Sequence, residues 1–246
     1  MRLKAIICQV LTREFELAIA RSPHSIELEA LPMGLHDYGA AMRPRLQQQI
    51  DASDALGFDA ILLGYALCGR GADGLTAGLT PLVLPRAHDC IGILMGGRRI
   101  HERYFESHPG VYYRSPGWIE FQKSGQSLEP AWAVARNSMG ERRSREELIR
   151  QYGEENGAFL YEQFTAYRRA YSGLTYISTG VPSDAACREQ ARAEADANHW
   201  IFEDVPGSTW MIESLVNGEW SPEDFLVVPP GSSIRATLDE HVVAAT

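Results

Sequence analysis

Short apolar runs mark the first strands of this chain. The sequence predicts buried strands over Lys4–Leu11, Ala60–Ala66 and Leu82–Leu84, because each run is mostly apolar and short, as in parallel sheets that are covered on both faces. Ser25–Leu31 instead alternates apolar with acidic residues, the pattern of a strand with one face in water. We therefore predict that this strand lies at an edge of the sheet.

Helical patterns separate these strands. Phe15 and Ile19 form part of an apolar helix face after the first strand, and a second helix is predicted from Arg43 to Leu56, ending at Gly57. The resulting β-α-β-α-β order favours right-handed crossovers and a parallel sheet. We predict that the first four strands lie side by side in the order 2-1-3-4.

The second half of the chain repeats this alternation. Strands are predicted over Thr175–Ser178, Trp200–Glu203 and Phe225–Val228, with helices between them. The predicted class is therefore α/β: an open, mostly parallel sheet with helices on both faces, with two Rossmann-like lobes as one possible form. The tail after residue 231 shows no pattern that would anchor it.

The predicted organisation has three parts. An α/β lobe that carries the Cys/His site covers residues 1–97, and an irregular connection with one short strand, Val111–Arg114, covers residues 98–145. Residues 146–246 form either a second α/β lobe or a continuation of the same sheet.

Composition narrows the class of protein. The 246 residues are 45% hydrophobic and 22% charged, which is typical of a globular protein, and the net charge is −9. This charge disfavours nonspecific binding to nucleic acid or anionic membranes, and no apolar run approaches the roughly 20 residues of a membrane helix. Because the start also lacks a secretory pattern, we expect a cytoplasmic protein with reduced cysteines, which favours metal binding or catalysis over disulfides.

Four potential metal ligands lie near the ends of consecutive predicted strands: Cys8, His36, Cys68 and Cys90. The carboxyl ends of parallel strands share one edge of a sheet, so these side chains are predicted to converge on a zinc site. The alternative is that each cysteine is simply a core residue, because free cysteines are often buried. The chain also has no CxxC spacing, which is the usual sequence signal of a zinc site. Cys187 lies in the middle of a predicted helix and is interpreted as packing.

The sequence around Cys90 adds two candidate groups. A helix is predicted to begin at Cys90, whose thiol pKa the helix N-terminus is expected to lower. His88 is a candidate catalytic base or a further ligand. Asp89 is interpreted as the cap of the helix, with orientation of an imidazole as the alternative.

A glycine motif and several aromatic residues complete the candidate chemistry. Gly69, Gly71 and Gly74 follow a predicted strand, but the helix of a dinucleotide fingerprint is too short here. We interpret them as a flexible loop through which backbone approaches a bound ligand. Four aromatic residues are predicted to line a pocket, with core packing as the alternative: Tyr65, which is the other candidate catalytic residue, Tyr112, Tyr113 and Trp118. Arg86 and Arg114 are candidates for binding a carboxylate or phosphate group.

The phrases LGYALCGRG, PRAHDCIGILMGG and YYRSPGWIE resemble the bacterial and archaeal family called domain of unknown function 1638. The resemblance extends over most of the chain, from IICQVL to DFLVVPPG. Its pattern matches, residue by residue, His36, Tyr65, Cys68, His88, Asp89, Cys90 and Trp118. Ala66 stands where the family pattern has glycine. The resemblance implies an association with corrinoid-dependent methyltransferase systems.

Together these observations predict a zinc-binding protein that handles a thiol or a methylated small molecule, in corrinoid-linked methyl transfer. If the chain is an enzyme, a metal-dependent methyltransferase-type activity is expected, with the corrinoid held by a partner protein. The alternative is a non-enzymatic carrier, sensor or chaperone for a corrinoid, a metal or a small ligand. A nucleotide-binding oxidoreductase that uses the glycine motif is a third hypothesis.

Overall fold

The structure contains two main sheets with helices between their strands. This computed structural model describes residues 1–33, 35, 39–123, 144–165 and 170–246. The strands are β1 (Arg2–Cys8), β2 (Ser25–Leu31), β3 (Ala60–Gly64), β4 (Leu82–Pro85), β5 (Val111–Arg114), β6 (Gly173–Ser178), β7 (Ile201–Pro206), β8 (Phe225–Val228), β9 (Ile234–Ala236) and β10 (Val243–Ala245).

Helices connect most of these strands. The first five are α1 (Thr12–Ile19), α2 (Gly39–Asp54), α3 (Cys90–Leu94), α4 (Arg98–Ser107) and α5 (Pro116–Lys123). Further helices cover Arg145–Tyr152, Glu154–Thr165, Asp184–Ala197 and Trp210–Asn217. Within the described part of the chain, no helix is both long and apolar enough to cross a lipid bilayer.

The larger sheet confirms the predicted α/β class and the predicted order of its first strands. Its order is β2-β1-β3-β4-β8, and β1 pairs in parallel with both β2 and β3, as β3 does with β4. Strands β3 and β4 are buried along their whole length, whereas β2 alternates between more and less exposed residues. Strand β2, which has one solvent-exposed face, lies at the edge of the sheet, as predicted.

The middle of the chain is more regular than predicted. Helices α4 and α5 and strand β5 lie within the segment 98–145, so the prediction of an irregular connection is wrong for residues 98–123. Residues 124–143 lie outside the described residues. Helix α4 is short and mostly polar, and none of its residues is fully buried, so it lacks the apolar run by which the other elements were predicted.

Strands from the second half of the chain enter both sheets. A smaller parallel sheet has the order β5-β6-β7. Strand β8 instead returns to the larger sheet and pairs antiparallel with β4, with Leu84 opposite Leu226. The second half thus supplies a separate sheet and also continues the first one.

The C-terminal tail is held against the larger sheet, so the prediction of an unanchored tail is wrong. Strands β9 and β10 pair antiparallel, and Ile234 and Val243 are buried. The Arg86 guanidinium donates hydrogen bonds to backbone carbonyls at the start of β8 and at the start of β10: those of Pro222 and Phe225, and those of His241 and Val243. Arg86 thus ties the C-terminal segments to the end of β4, which is a structural role.

Candidate functional site

A cavity of about 240 Å³ lies at the carboxyl ends of β1, β3 and β4. We call it the thiol cavity, because three of the four cysteines line it. Its described lining consists of Cys8, Gly64, Tyr65, Cys68, Gly69, Asp89, Cys90, Ile91 and Trp118. The carboxyl edge of a parallel sheet is where ligands bind in open α/β folds. The structure therefore brings together the three thiols that were predicted to converge.

Cys8 reaches the thiol cavity because it is the last residue of β1. A 3₁₀ turn, Gln9–Leu11, follows it, and helix α5 contacts this turn. A Cβ atom on Gly117 would lie only 1.8 Å from the carbonyl oxygen of Val10. Glycine is therefore required for this close approach, which places the neighbouring Trp118 at the cavity.

Cys68 is held by a strained loop after β3. The Leu67 amide donates a hydrogen bond to the Ala87 carbonyl at 3.1 Å, and the Cys68 amide donates to the His88 carbonyl at 2.8 Å. Cys68 and Arg70 both have left-handed backbones, with φ of +46° and +69°. For residues with a side chain, this conformation costs about 1–2 kcal/mol each. Such strain is concentrated at functional sites in proteins.

Cys90 begins the short helix α3, and Asp89 caps it as predicted. The Gly92 amide donates to Asp89 Oδ1 at 3.0 Å. The prediction that the helix end lowers the pKa of Cys90 is wrong. Burial raises the pKa of the Cys90 thiol well above its usual value, and the neighbouring Cys8 and Cys68 add to the rise, while hydrogen bonding to Trp118 partly offsets it. One helical turn is too weak a dipole to overcome this desolvation.

Two further groups in the cavity are kept in their neutral forms. Burial, and then the nearby Cys8 thiol, raise the pKa of Cys68. Burial also raises the pKa of Tyr65 well above 10, with contributions from the same cysteines. The Tyr65 hydroxyl is buried, and it has no hydrogen-bond partner among the described residues. In the absence of a metal, therefore, these buried groups remain protonated at neutral pH.

His101 on α4 is a residue beside the site that the sequence analysis missed. Its Nδ1 lies 3.9 Å from Asp89 Oδ1, and its side chain is only 13% exposed. Its ring packs edge-on against Tyr113, with 5.7 Å between ring centroids. The spacing of His101, Tyr104 and His108 was the available signal, since i, i+3 and i+7 share one face of a helix.

Several predicted site residues are not brought into the cavity. The side chain of His88 is 51% exposed, and its Nε2 lies 3.6 Å from Glu102 Oε1. Of the predicted glycines only Gly69 lines the cavity, because Gly71 packs on Met42 and the Gly74 amide donates to the Ile234 carbonyl at 2.7 Å. The structure therefore places His88, Gly71 and Gly74 outside the described lining of this cavity, and their predicted roles in catalysis and ligand binding stay predictions.

The remaining predicted residues lie elsewhere. His36, the fourth predicted ligand, lies outside the described residues. Cys187 is buried in a separate apolar cluster with Ala191 and Ala195, which agrees with its interpretation as packing.

The donor set of the thiol cavity fits a soft divalent metal. Three thiols share one cavity with largely apolar walls, and thiolates are preferred ligands of zinc. Among the described residues, no group of three or more His, Cys, Asp or Glu side chains is already arranged to hold a metal ion. Metal binding would therefore require a rearrangement of these side chains.

Comparison with known proteins identifies a family. The family model described as "Protein of unknown function (DUF1638)" matches residues 30–216, which is most of the chain. No curated protein and no solved structure matches the chain. The matched segment contains Tyr65, Cys68, Asp89, Cys90 and Trp118 of the thiol cavity, and it ends before β8. The chain therefore belongs to the family of proteins of unknown function called DUF1638.

Proposed function

We propose that this chain is a cytoplasmic zinc-binding protein that handles a thiol or a methylated small molecule. The ligands are Cys8, Cys68 and Cys90, with His36 as the fourth member of the predicted set. The observation that carries the proposal is the convergence of three thiols from neighbouring strand ends on one cavity. Four cysteines that form no disulfide are consistent with a reducing compartment.

The chain's own residues prepare the cavity for this role. Trp118 and Ile91 supply apolar walls that limit the access of water, and the strained loop fixes Cys68. The cap made by Asp89 fixes the first residue of α3, which is Cys90. When bound, a zinc ion with an open position lowers the pKa of a thiol and stabilises its thiolate.

Methyl transfer is the reaction class that we propose for such a site. A thiolate attacks a methyl carbon, a sulfur–carbon bond forms, and the bond between the methyl group and its carrier breaks, with the carrier keeping the electron pair. A corrinoid protein is the partner that the family resemblance implies as the methyl carrier. The chain would then bind the accepting small molecule.

One observation favours a second candidate, a non-enzymatic carrier or sensor for a metal or a small ligand. The described lining contains no histidine or lysine that could act as a base near neutral pH, because His88 points its imidazole elsewhere. A four-ligand site without an open position would fit this candidate better than methyl transfer.

Metal analysis of the full chain, purified without chelator, tests the proposal. We expect one zinc ion per chain in the wild type, and we expect Cys68→Ser and Cys90→Ser to lose it, because a hydroxyl is a poor soft ligand. Zinc affinity should fall by more than the about 10- to 100-fold that loss of a supporting residue costs.

Cys187→Ser is the matched control, since Cys187 is also buried but lies outside the thiol cavity. It should retain the full zinc content. A wild-type chain that carries no transition metal and takes up no added zinc would contradict the proposal, as would equal zinc loss in all three variants.

A further inference from the structure

The Tyr65 hydroxyl lines the thiol cavity and is buried without a hydrogen-bond partner among the described residues. Tyr65 follows β3 directly, its side chain is 3% exposed, and its Oη makes no hydrogen bond within the described residues. Native proteins pair nearly all buried polar atoms, because an unpaired one retains its desolvation penalty. An unpaired hydroxyl on a cavity wall therefore indicates a ligand that supplies the missing hydrogen-bond partner.

The other groups around the cavity do not supply this partner. Asp89 Oδ1 already accepts the hydrogen bond of the Gly92 amide and lies near His101. Cysteine sulfurs are weak acceptors while they are protonated. In the metal-free protein the described lining therefore gives Tyr65 no hydrogen-bond acceptor, and a bound ligand would supply one.

The charge of the cavity restricts what this ligand is. Its described lining includes the Asp89 carboxylate and no lysine, arginine or histidine. A carboxylate, sulfonate or phosphate group on the ligand would therefore meet like charge and no cationic side chain, and three thiolates would outweigh the two positive charges of a bound zinc ion. At about 30 Å³ for each water-sized group, a cavity of about 240 Å³ accepts about eight such groups, so the ligand is small.

We propose that Tyr65 Oη donates a hydrogen bond to the sulfur of a small thiol that carries no other negative charge. The inference rests on the proposed function, because the same sulfur would bind at the metal. It goes further by naming the residue that receives the substrate and the class of thiol that the cavity accepts. Tyr65 is then a ligand-binding residue, distinct from the cysteines that hold the metal.

Cobalt-substituted full-length protein tests this inference, because the absorption bands of cobalt report both its binding and the arrival of a new sulfur. The wild type and Tyr65→Phe are titrated with 2-mercaptoethanol and with mercaptoacetate, which bears a carboxylate. We expect both proteins to bind cobalt equally. Tyr65→Phe should bind 2-mercaptoethanol about 10- to 100-fold more weakly. This is the loss of affinity expected when a hydrogen bond to a charged acceptor is removed.

Tyr113→Phe is the matched control. Its hydroxyl is also buried without a described partner, but it does not line the thiol cavity. This variant should bind 2-mercaptoethanol as the wild type does. In the wild type, mercaptoacetate should bind at least about tenfold more weakly than 2-mercaptoethanol, because it brings a second charge next to Asp89.

The outcomes separate the inference from the proposed function. If Tyr65→Phe binds cobalt and 2-mercaptoethanol as tightly as the wild type, the inference is overturned and the metal site stands. Equal binding of mercaptoacetate would overturn the predicted class of thiol. A wild-type protein that binds no cobalt would overturn the proposed function and the inference together.

Thermal unfolding of the metal-free proteins gives an independent check. Because Tyr65 Oη has no described partner, Tyr65→Phe should have a Tm no lower than the wild type. Tyr176→Phe should lower Tm by about 2–4 °C, since the Tyr176 hydroxyl donates to Asp184 Oδ1 at 2.7 Å. An equal drop in both variants would show that Tyr65 is already paired within the protein, which would overturn the inference.

Discussion

The Tyr65 hydroxyl of the thiol cavity and two buried polar groups of the smaller sheet, those of Tyr176 and Arg114, differ in whether the protein pairs them. At the cavity, the Tyr65 hydroxyl has no described partner and Cys68 has a left-handed backbone. Beside the smaller sheet, the Tyr176 hydroxyl donates to Asp184, and the Arg114 guanidinium makes two hydrogen bonds of 2.8 Å with Glu194. Strain and an unpaired group coincide at the cavity, whereas these polar groups of the smaller sheet are satisfied.

Two buried cysteines show what this difference teaches. Cys68 and Cys187 are 8% and 3% exposed, so burial alone does not separate them. Cys187 lies inside a regular helix, packs against Ala191 and Ala195, and its thiol donates to the Pro116 carbonyl at 3.8 Å. What distinguishes Cys68 is its backbone conformation and its place on a cavity with two other thiols. Those features, more than burial, indicate a functional cysteine.

The largest expected effect concerns the ion pair of the smaller sheet. The Arg114 side chain is 5% exposed, so Glu194→Ala leaves a buried cation without its partner. We expect the free energy of unfolding to fall by about 3 kcal/mol, at the lower end for broken buried pairs because Glu194 is partly exposed. Urea denaturation measures this loss, and zinc uptake should be unchanged. A loss of zinc in this variant would contradict the separation of the two regions.

Glycine and alanine substitutions at the two cysteines should have opposite effects. At Cys68, glycine should be more stable than alanine by about 1–2 kcal/mol, because only glycine adopts a positive φ without strain. At Cys187, alanine should be more stable than glycine by about 1 kcal/mol, as in any helix interior. Urea denaturation of the four variants measures both differences. The same sign at both sites would show that the loop at Cys68 is not strained.

The smallest expected effect concerns Glu14, which links α1 to the segment after β6. Thr179 Oγ1 donates to Glu14 Oε1 at 2.7 Å, and burial raises the pKa of this carboxyl above its usual 4.5. Its contribution to stability is therefore fully present below pH 4.5 and is lost as the pH rises through the higher folded-state pKa.

Glu14→Gln should remove this dependence, so the variant gains stability relative to the wild type as the pH increases. Urea denaturation at several pH values from 4 upward measures the difference. Glu16→Gln is the control for the change in charge, since Glu16 lies on the same helix with its side chain about half exposed. A stability difference between Glu14→Gln and the wild type that stays constant with pH would contradict the buried-carboxyl interpretation.

The sequence by itself determined the frame of the site. Short apolar runs and the wet face of Ser25–Leu31 were enough to predict four parallel strands in the order 2-1-3-4, because periodicity and crossover handedness are local rules. The same strand ends predicted that Cys8, Cys68 and Cys90 would lie together. The cap at Asp89 was predictable because it depends only on its own helix.

Only the tertiary structure decided which distant segments pair with the sheet and surround the thiol cavity. Strand β8 pairs with β4 across more than a hundred residues of sequence, and Gly117 brings Trp118 to the cavity through contact with Val10. The pKa of Cys90 rises because the surrounding elements remove water from its thiol, an effect that no local pattern contains. Such features depend on which distant segments fill an open sheet edge or cover a strand end. Contacts between distant segments are stabilised by burial of the whole core. The residues next to Cys90 in the sequence therefore could not predict them.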